Sequence, residues 1–451
     1  MKFTDKRIKF IVGAVLIITV AYWGYDQWRE VGAAKEVKQM TEKMVTYCVG
    51  RYLIDLPKDT EVNYGATRVD GVDIAFLEID AKQPLFSERV KAREIELKEQ
   101  KNRQGKVSLE QVDEFNPPSL SGKMFIYGRK QTTLTGDDDK PYIVENVAAQ
   151  AWLRGPGVEY LLEAGTIDPD RIPNISRLAR QLRPTPSNKI PTEPGFCIER
   201  GIILDPPGLD QNESIVLHFR LKKNPDVMGN LSIGVNGGDK LEETLLERDA
   251  KNDITQKYSS HFKSIFKGDR AINGIPGQEV SEKVRENNGT RAHSFMWDTV
   301  GKLNDVLAPS ITLDIATGYG PPGKPLNSSL PDKAANDLWK IISGSIRLRP
   351  TGPAKISAAE PTPSEDSSAA KRLPIGTKVS SNSHCPQTGI WQCAADAPGI
   401  TQHRQFITAG KPMPYGVTQQ TANGVSGFFG RREDVTVDVA WSLIAYEKGS
   451  T

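Results

Sequence analysis

Cysteine and histidine are scarce in this chain, with four and five copies in 451 residues. The cysteines (Cys48, Cys197, Cys385, Cys393) form no Cys-x-x-Cys pair, and no histidine has a zinc spacing near them, so no metal site is expected. There is no Gly-x-Ser-x-Gly elbow, no His-Glu-x-x-His and no Walker loop, which removes the commonest hydrolase and nucleotide-binding signatures. Gly318-Tyr319-Gly320-Pro321-Pro322-Gly323 has dinucleotide-loop spacing. Its two prolines lack the N–H groups that a phosphate cradle needs, so it reads as a loop. Asp137–Asp139 lacks calcium-loop spacing and reads as a solvated turn. A net charge of only +2 gives no general electrostatic case for nucleic acid. These absences describe a binding protein with no catalytic residues and no cofactor.

Long apolar runs are also missing, with one exception. Phe10–Tyr25 is free of charge, follows a basic start, and ends in Tyr22, Trp23 and Tyr25, where an aromatic belt would meet the far interface. It is slightly short for a span, though Ile8 extends it if Lys9 snorkels to the headgroups. A cleaved signal peptide is the alternative. Its small-residue site would fall near Gly32-Ala33-Ala34, beyond Asp26, Arg29 and Glu30 and far from the apolar core. The expectation is an uncleaved transmembrane anchor with a helical stalk, residues 1–45, which exports everything after it.

What the chain does contain is an internal echo. Tyr47–Pro57 reads YCVGRYLIDLP and Phe196–Pro206 reads FCIERGIILDP. Each cysteine follows an aromatic residue, Arg51 and Arg200 stand three positions later, and both copies run into proline, at Pro57 and Pro206. The ends rhyme too: Leu182-Arg183-Pro184-Thr185 and Leu348-Arg349-Pro350-Thr351. Matched starts and ends predict two tandem duplicated domains, 46–187 and 195–351.

Within the first, Val62–Arg68 and Val72–Ile79 should form a hairpin across Asp70-Gly71. Leu85–Lys101 reads as a helix; Lys123–Lys130, Tyr142–Leu153 and Val158–Ala164 read as strands; Arg171–Leu182 closes as a helix. The second gives strands at Ile202–Leu204, Ser214–Leu221 and Leu231–Val235, a long helix over Lys240–Tyr258, strands at Ala271–Val284, Ala292–Thr299 and Ser310–Ile315, and a helix over Pro331–Ile346. The class is therefore α+β, antiparallel sheet plus helices. Residues 352–372 are rich in Ala, Pro, Ser and Glu and read as a disordered linker. Residues 373–451 recover aromatics and form a small β-rich module, with Val435–Ala440 alternating like a strand.

In an oxidising compartment an even cysteine count favours disulfides. Cys385 and Cys393 bracket PQTGIWQ, whose Thr388-Gly389 can turn, so a hairpin bridge is expected there. Cys48 and Cys197 can pair only if the two opening strands lie side by side, within about 7 Å between Cα atoms. Two separate core cysteines are the alternative.

The Cys48-x-x-Arg51 opening into Asp55-Leu56-Pro57, the Phe196-Cys197 echo and the turn Ile272-Asn273-Gly274-Ile275-Pro276-Gly277-Gln278-Glu279 resemble a two-domain immunity family. Its members neutralise type VI secretion phospholipase effectors in the periplasm of Gram-negative bacteria. The resemblance spans Thr46 to about Thr351, and the Cys385–Cys393 region is similar to an appendage on some relatives. It implies a non-enzymatic inhibitor whose partner is a cognate phospholipase effector. With the anchor read from Phe10–Tyr25 the inhibitor is expected at the inner membrane, its two domains gripping the effector as a clamp. An inner-membrane-anchored envelope scaffold or cell-wall-binding protein is the other reading, and an unrecognised hydrolase a third.

Overall fold

The computed structural model describes residues 31–352, apart from 81, 117–118, 136–140, 187–188, 208–211, 238–240, 287 and 322–323, and parts of 373–446. Phe10–Tyr25, Asp137–Asp139 and all of the linker but Gly352 lie outside the described residues. Among the described residues, no helix is long and apolar enough to cross a membrane. The chain divides into two compact units, Met1–Lys355 and Ile356–Thr451.

Among the described residues the first unit opens with α1 (residues 31–41), which places Ala33 and Val37 in the main core. An opening hairpin follows, β1 (Met44–Val49) and β2 (Tyr52–Pro57). Next come β3 (Thr60–Val69), β4 (Val72–Leu77), α2 (Phe86–Glu99), β5 (Leu109–Phe115), β6 (Ser121–Thr135), β7 (Pro141–Gly155), β8 (Val158–Ile167), α3 (Ile172–Gln181) and β9 (Leu182–Pro184). A second opening hairpin, β10 (Gly195–Ile198) and β11 (Gly201–Leu204), begins the other half. It continues with β12 (Glu213–Leu221), β13 (Met228–Gly234), α4 (Leu245–Ala250), α5 (Asp253–Lys257), β14 (Phe262–Asp269), β15 (Gln278–Arg285), β16 (Arg291–Thr299), β17 (Ser310–Thr317), α6 (Asp332–Ser343) and β18 (Arg347–Leu348).

One antiparallel sheet of twelve strands runs through both halves in the order β14-β15-β16-β17-β13-β12-β3-β4-β8-β7-β6-β5. Read outward from the β12–β3 seam, each half lays down its strands in the same relative order. The opening hairpins are exchanged: β1-β2 pairs with β18, the last strand of the second half, and β10-β11 pairs with β9, the last strand of the first.

Strand alternation decides which face is buried. On β12, Ile215, Leu217, Phe219 and Leu221 are buried and the residues between them are not. This inner face is covered by α3, α6 and the opening hairpins. Helix α6 shows why it docks there: Ala334, Ala335, Leu338, Trp339 and Ile342 form one apolar stripe. Helix α2 packs on the other face. Phe125 and Trp152 turn to it, while their strand neighbours Met124, Ile126, Ala151 and Leu153 point to the main core.

Strands β5 and β14 lie where no element is expected from the sequence, and two expected elements are cut short. The helix over Lys240–Tyr258 is broken into α4 and α5, because Asn252 caps a new start, its side chain accepting from the Ile254 and Thr255 amides. The strand expected over Ala271–Val284 starts only at Gln278, since Ile272 and Ile275 close a tight turn with Asn273 and Gly274 at positive φ. The strand before that turn is β14, an exposed sheet edge carrying Lys263 and Lys267.

The second unit has a four-stranded sheet, β19 (Lys378–Ser380), β20 (Gly389–Cys393), β21 (Arg404–Ile407) and β24 (Ala440–Tyr446), ordered β19-β24-β20-β21, and a separate hairpin of β22 (Gly416–Thr421) and β23 (Arg432–Val437). Its core gathers Cys385, Trp391, Cys393, Ile407, Met413, Trp441 and Leu443. The expected Cys385–Cys393 bridge is not formed. Thr388-Gly389 does not turn one strand back on another; it leads into β20, whose partners are β21 and β24, so Cys385 is not placed across a ladder from Cys393. The Cys385 thiol instead donates to the Gln387 carbonyl at 3.1 Å, and burial pushes it above the usual thiol range.

Candidate functional site

Of the echo residues, Arg51, Arg200 and Pro206 each reach across to the other half. The turn of the first opening hairpin is Gly50-Arg51. Gly50 sits at φ +57°, and a Cβ there would come within 2.9 Å of the Phe196 ring, so this position requires glycine. Its backbone exchanges two hydrogen bonds with Cys197 (3.0 and 2.8 Å), which brings the two opening strands side by side. Cys48 and Cys197 form a disulfide there, 5.8 Å apart at Cα and 149 residues apart in sequence.

Arg51 is buried and crosses the seam. Its guanidinium donates to both oxygens of Glu213 (2.8 and 2.7 Å) and both of Asp205 (3.1 and 2.8 Å). Burial alone would lower its pKa, but the two carboxylates outweigh that and hold it above the ordinary arginine value. Arg200 has a different role. It takes φ +56° in the second turn, its carbonyl accepts from the Tyr160 hydroxyl (2.6 Å), and its guanidinium lies over Phe76. Pro57 ends β2 opposite Met44, and the Pro206 carbonyl accepts from Gln181. From the far end of the second half, Arg347 pairs with Asp55 of β2, and buried Arg349 donates to the carbonyls of Pro191, Glu193 and Gly195. Neither Glu213 nor Asp205 stands out in the sequence, where carboxylates are too common to mark a pair, and Asp55 stands out there only as part of the Asp55-Leu56-Pro57 motif.

The outer face of the sheet is covered near its ends by α2 and by α4, which Arg248 ties to Asp298. Between them the floor is polar. His218 on β12, Asn230 on β13 and Asp314 on β17 form a chain across three strands (2.5 and 3.0 Å). Burial pushes the Asp314 carboxyl up, opposed by Asn230 and His218. The other histidine nitrogen faces Gly65, where an added Cβ would lie 2.6 Å away. The chain thus ends against a position with no side chain and offers no nucleophile.

Beside the seam the sheet opens. Gly65 and Ala66 form a bulge in β3 opposite β12, and β3 keeps only two pairs with β4, Arg68–Asp73 and Val69–Val72. The two strands then diverge around a cavity of about 290 Å³. Its lining includes Tyr64, Asp73, Ala75, Phe76, Glu163 and, from the second opening hairpin, Ile198 and Glu199. The cavity falls at the low end of small-ligand pockets. Among the described residues no group of acidic, histidine and cysteine side chains could hold a metal ion.

Residues 45–141 match the family model of the Tle cognate immunity protein 4 N-terminal domain, and residues 189–351 match that of its C-terminal domain. The chain belongs to the Tle cognate immunity protein 4 family. The two family domains carry the two opening hairpins, one each. Solved structures of similar fold include apo immunity protein TplEi of the type VI secretion system of Pseudomonas aeruginosa (24% identity, TM-score 0.56, covering 69% of this chain and 100% of that one). TplEi complexed with an "L" peptide gives 23% identity and TM-score 0.53 over 68% and 99% of the two chains. The immunity fold also matches a chain of the Tle4–Tli4 complex (24%, TM-score 0.55, 68% and 98%). At these identities the likeness is one of fold. No curated protein matches the chain.

Proposed function

We propose that this protein works in the periplasm, anchored to the inner membrane by Phe10–Tyr25, and holds its effector with both halves of the twelve-stranded unit. It is an immunity protein that binds a type VI secretion phospholipase effector, and it is an inhibitor rather than an enzyme. The observation that carries the reading is that both immunity domains are present and joined through one seam. Matching strand order on either side of that seam supports a duplicated domain. Any clamp they form is preformed, because the seam ladder, the Cys48–Cys197 bridge and the Arg51 pairs tie the halves together. An anchor would raise the inhibitor's concentration at the bilayer that the lipase attacks.

The test is to express a cognate type VI phospholipase effector in the periplasm, with the full chain or with residues 45–351. Both should restore survival and suppress fatty-acid release. Protection by residues 353–451 alone, with 45–351 inert, would move the activity out of the sheet. Fractionation with N-terminal sequencing checks the anchor: the mature protein should stay in the membrane with Phe10–Tyr25 attached.

A further inference from the structure

The two halves share a strand order but differ in the ladder next to the seam. In the second half β12 and β13 are laddered along seven residue pairs, Ser214–Gly234 to Arg220–Met228. The corresponding strands of the first half, β3 and β4, stop after two. Beyond that point β3 is paired only on its β12 side and β4 only on its β8 side. Thr60–Thr67 and Ile74–Leu77 therefore face each other as open strand edges with backbone donors and acceptors in no ladder. Such edges are templates for an added strand. The side chains leave the space clear, since Gly65, Ala66 and Ala75 are among the smallest available.

The lining is also of one sign. Asp73, Glu163 and Glu199 border the opening. Asp73 has an exposed partner in Arg68 and Glu163 accepts from Gln150. The half-buried Glu199 carboxylate has no hydrogen-bond or ion-pair partner among the described residues. Burial, with Glu78 nearby, raises its pKa against the pull of Arg200. A partly desolvated carboxylate in the lining of a cavity is relieved by a cation. At about 290 Å³ the cavity suits a side chain and its adjoining backbone better than a lipid.

We propose that the gap between β3 and β4 receives an extended segment of the effector, which adds to the open edges and places a lysine or arginine against Glu199. The proposal rests on the effector-binding reading above and names where and how that partner docks. The opening is specific to the first half, so the two halves make unequal contributions to recognition.

The experiment uses the full chain and the cognate type VI phospholipase effector identified by the survival test above. Hydrogen exchange of the wild-type protein should slow on lipase binding at amides within 60–67 and 74–77. Ala75→Trp, which fills the gap, and Glu199→Lys, which reverses its charge, should each weaken binding by about tenfold or more, with Glu199→Gln between Glu199→Lys and wild type. Glu199 stands on a hairpin turn, so its variants keep the test open if Ala75→Trp does not fold. Wild-type affinity in both Ala75→Trp and Glu199→Lys, with unchanged exchange at both edges, would overturn the proposal while leaving the immunity reading intact. A wild-type protein that fails to bind the lipase at all would overturn both.

Discussion

Arg51 shows how much one side chain can hold when it is buried with two acids. Its exposure is 6% and that of Glu213 is 5%, so neither charge can turn to water if the other is lost. Replacing Arg51 by alanine strands Glu213 and Asp205, and removing one partner of a buried pair costs about 3–5 kcal/mol. Urea unfolding of R51A should show a loss of that size. Arg51→Lys should recover only part of it, because an ammonium cannot reproduce four directed bonds. Glu199 works in the opposite sense. A carboxyl whose pKa is raised on folding helps stability while protonated, and that help is lost as pH rises through the folded value. Glu199→Gln should therefore be more stable than wild type at pH 7, and the gain should vanish towards about pH 4, the ordinary carboxylate range. Thermal melts across that interval measure it.

Among the elements, the opening hairpins depend most on distant chain. Cys48–Cys197 closes a loop across 149 residues, and a crosslink of that length stabilises by about 2–5 kcal/mol in the chain-entropy account. The Cys48→Ser/Cys197→Ser pair should unfold at correspondingly lower denaturant, without loss of the seam bonds between Gly50 and Cys197. The sequence marked these hairpins because cysteine, arginine and proline recur at fixed spacing in both. It could not show that they are exchanged, since which strand completes a ladder is a matter of tertiary pairing, and β9 and β18 are too short to carry a pattern. The split of the 240–258 helix was readable in Asn252, an N-cap residue inside a helical run. Gly65, a glycine inside a strand pattern, is the kind of signal that marks a bulge, here the one beside the opening. Cys385 and Cys393 are close in sequence, but the residues between them lead into β20 instead of turning a hairpin. The carboxylates around Arg51 and Glu199 were invisible because burial, rather than residue type, gives them their character.

At the scale of the molecule, the twelve-stranded unit should unfold as a single cooperative body. Residues 45–187 and 189–351 expressed separately should be unstable, because each lacks the strand that completes its opening hairpin and each exposes the apolar inner edge of the seam. Co-expressing them should restore a folded complex, and circular dichroism with limited proteolysis distinguishes the outcomes. Removing residues 353–451 should leave the unfolding of the first unit unchanged. The exchange of hairpins also has a consequence in time. During synthesis β1 and β2 emerge long before Arg347 and Leu348, the strand that covers them. The first half must then wait, partly open, for nearly the whole second half to be made, a delay in which chaperones matter and in which two neighbouring nascent chains can complete one another instead of themselves.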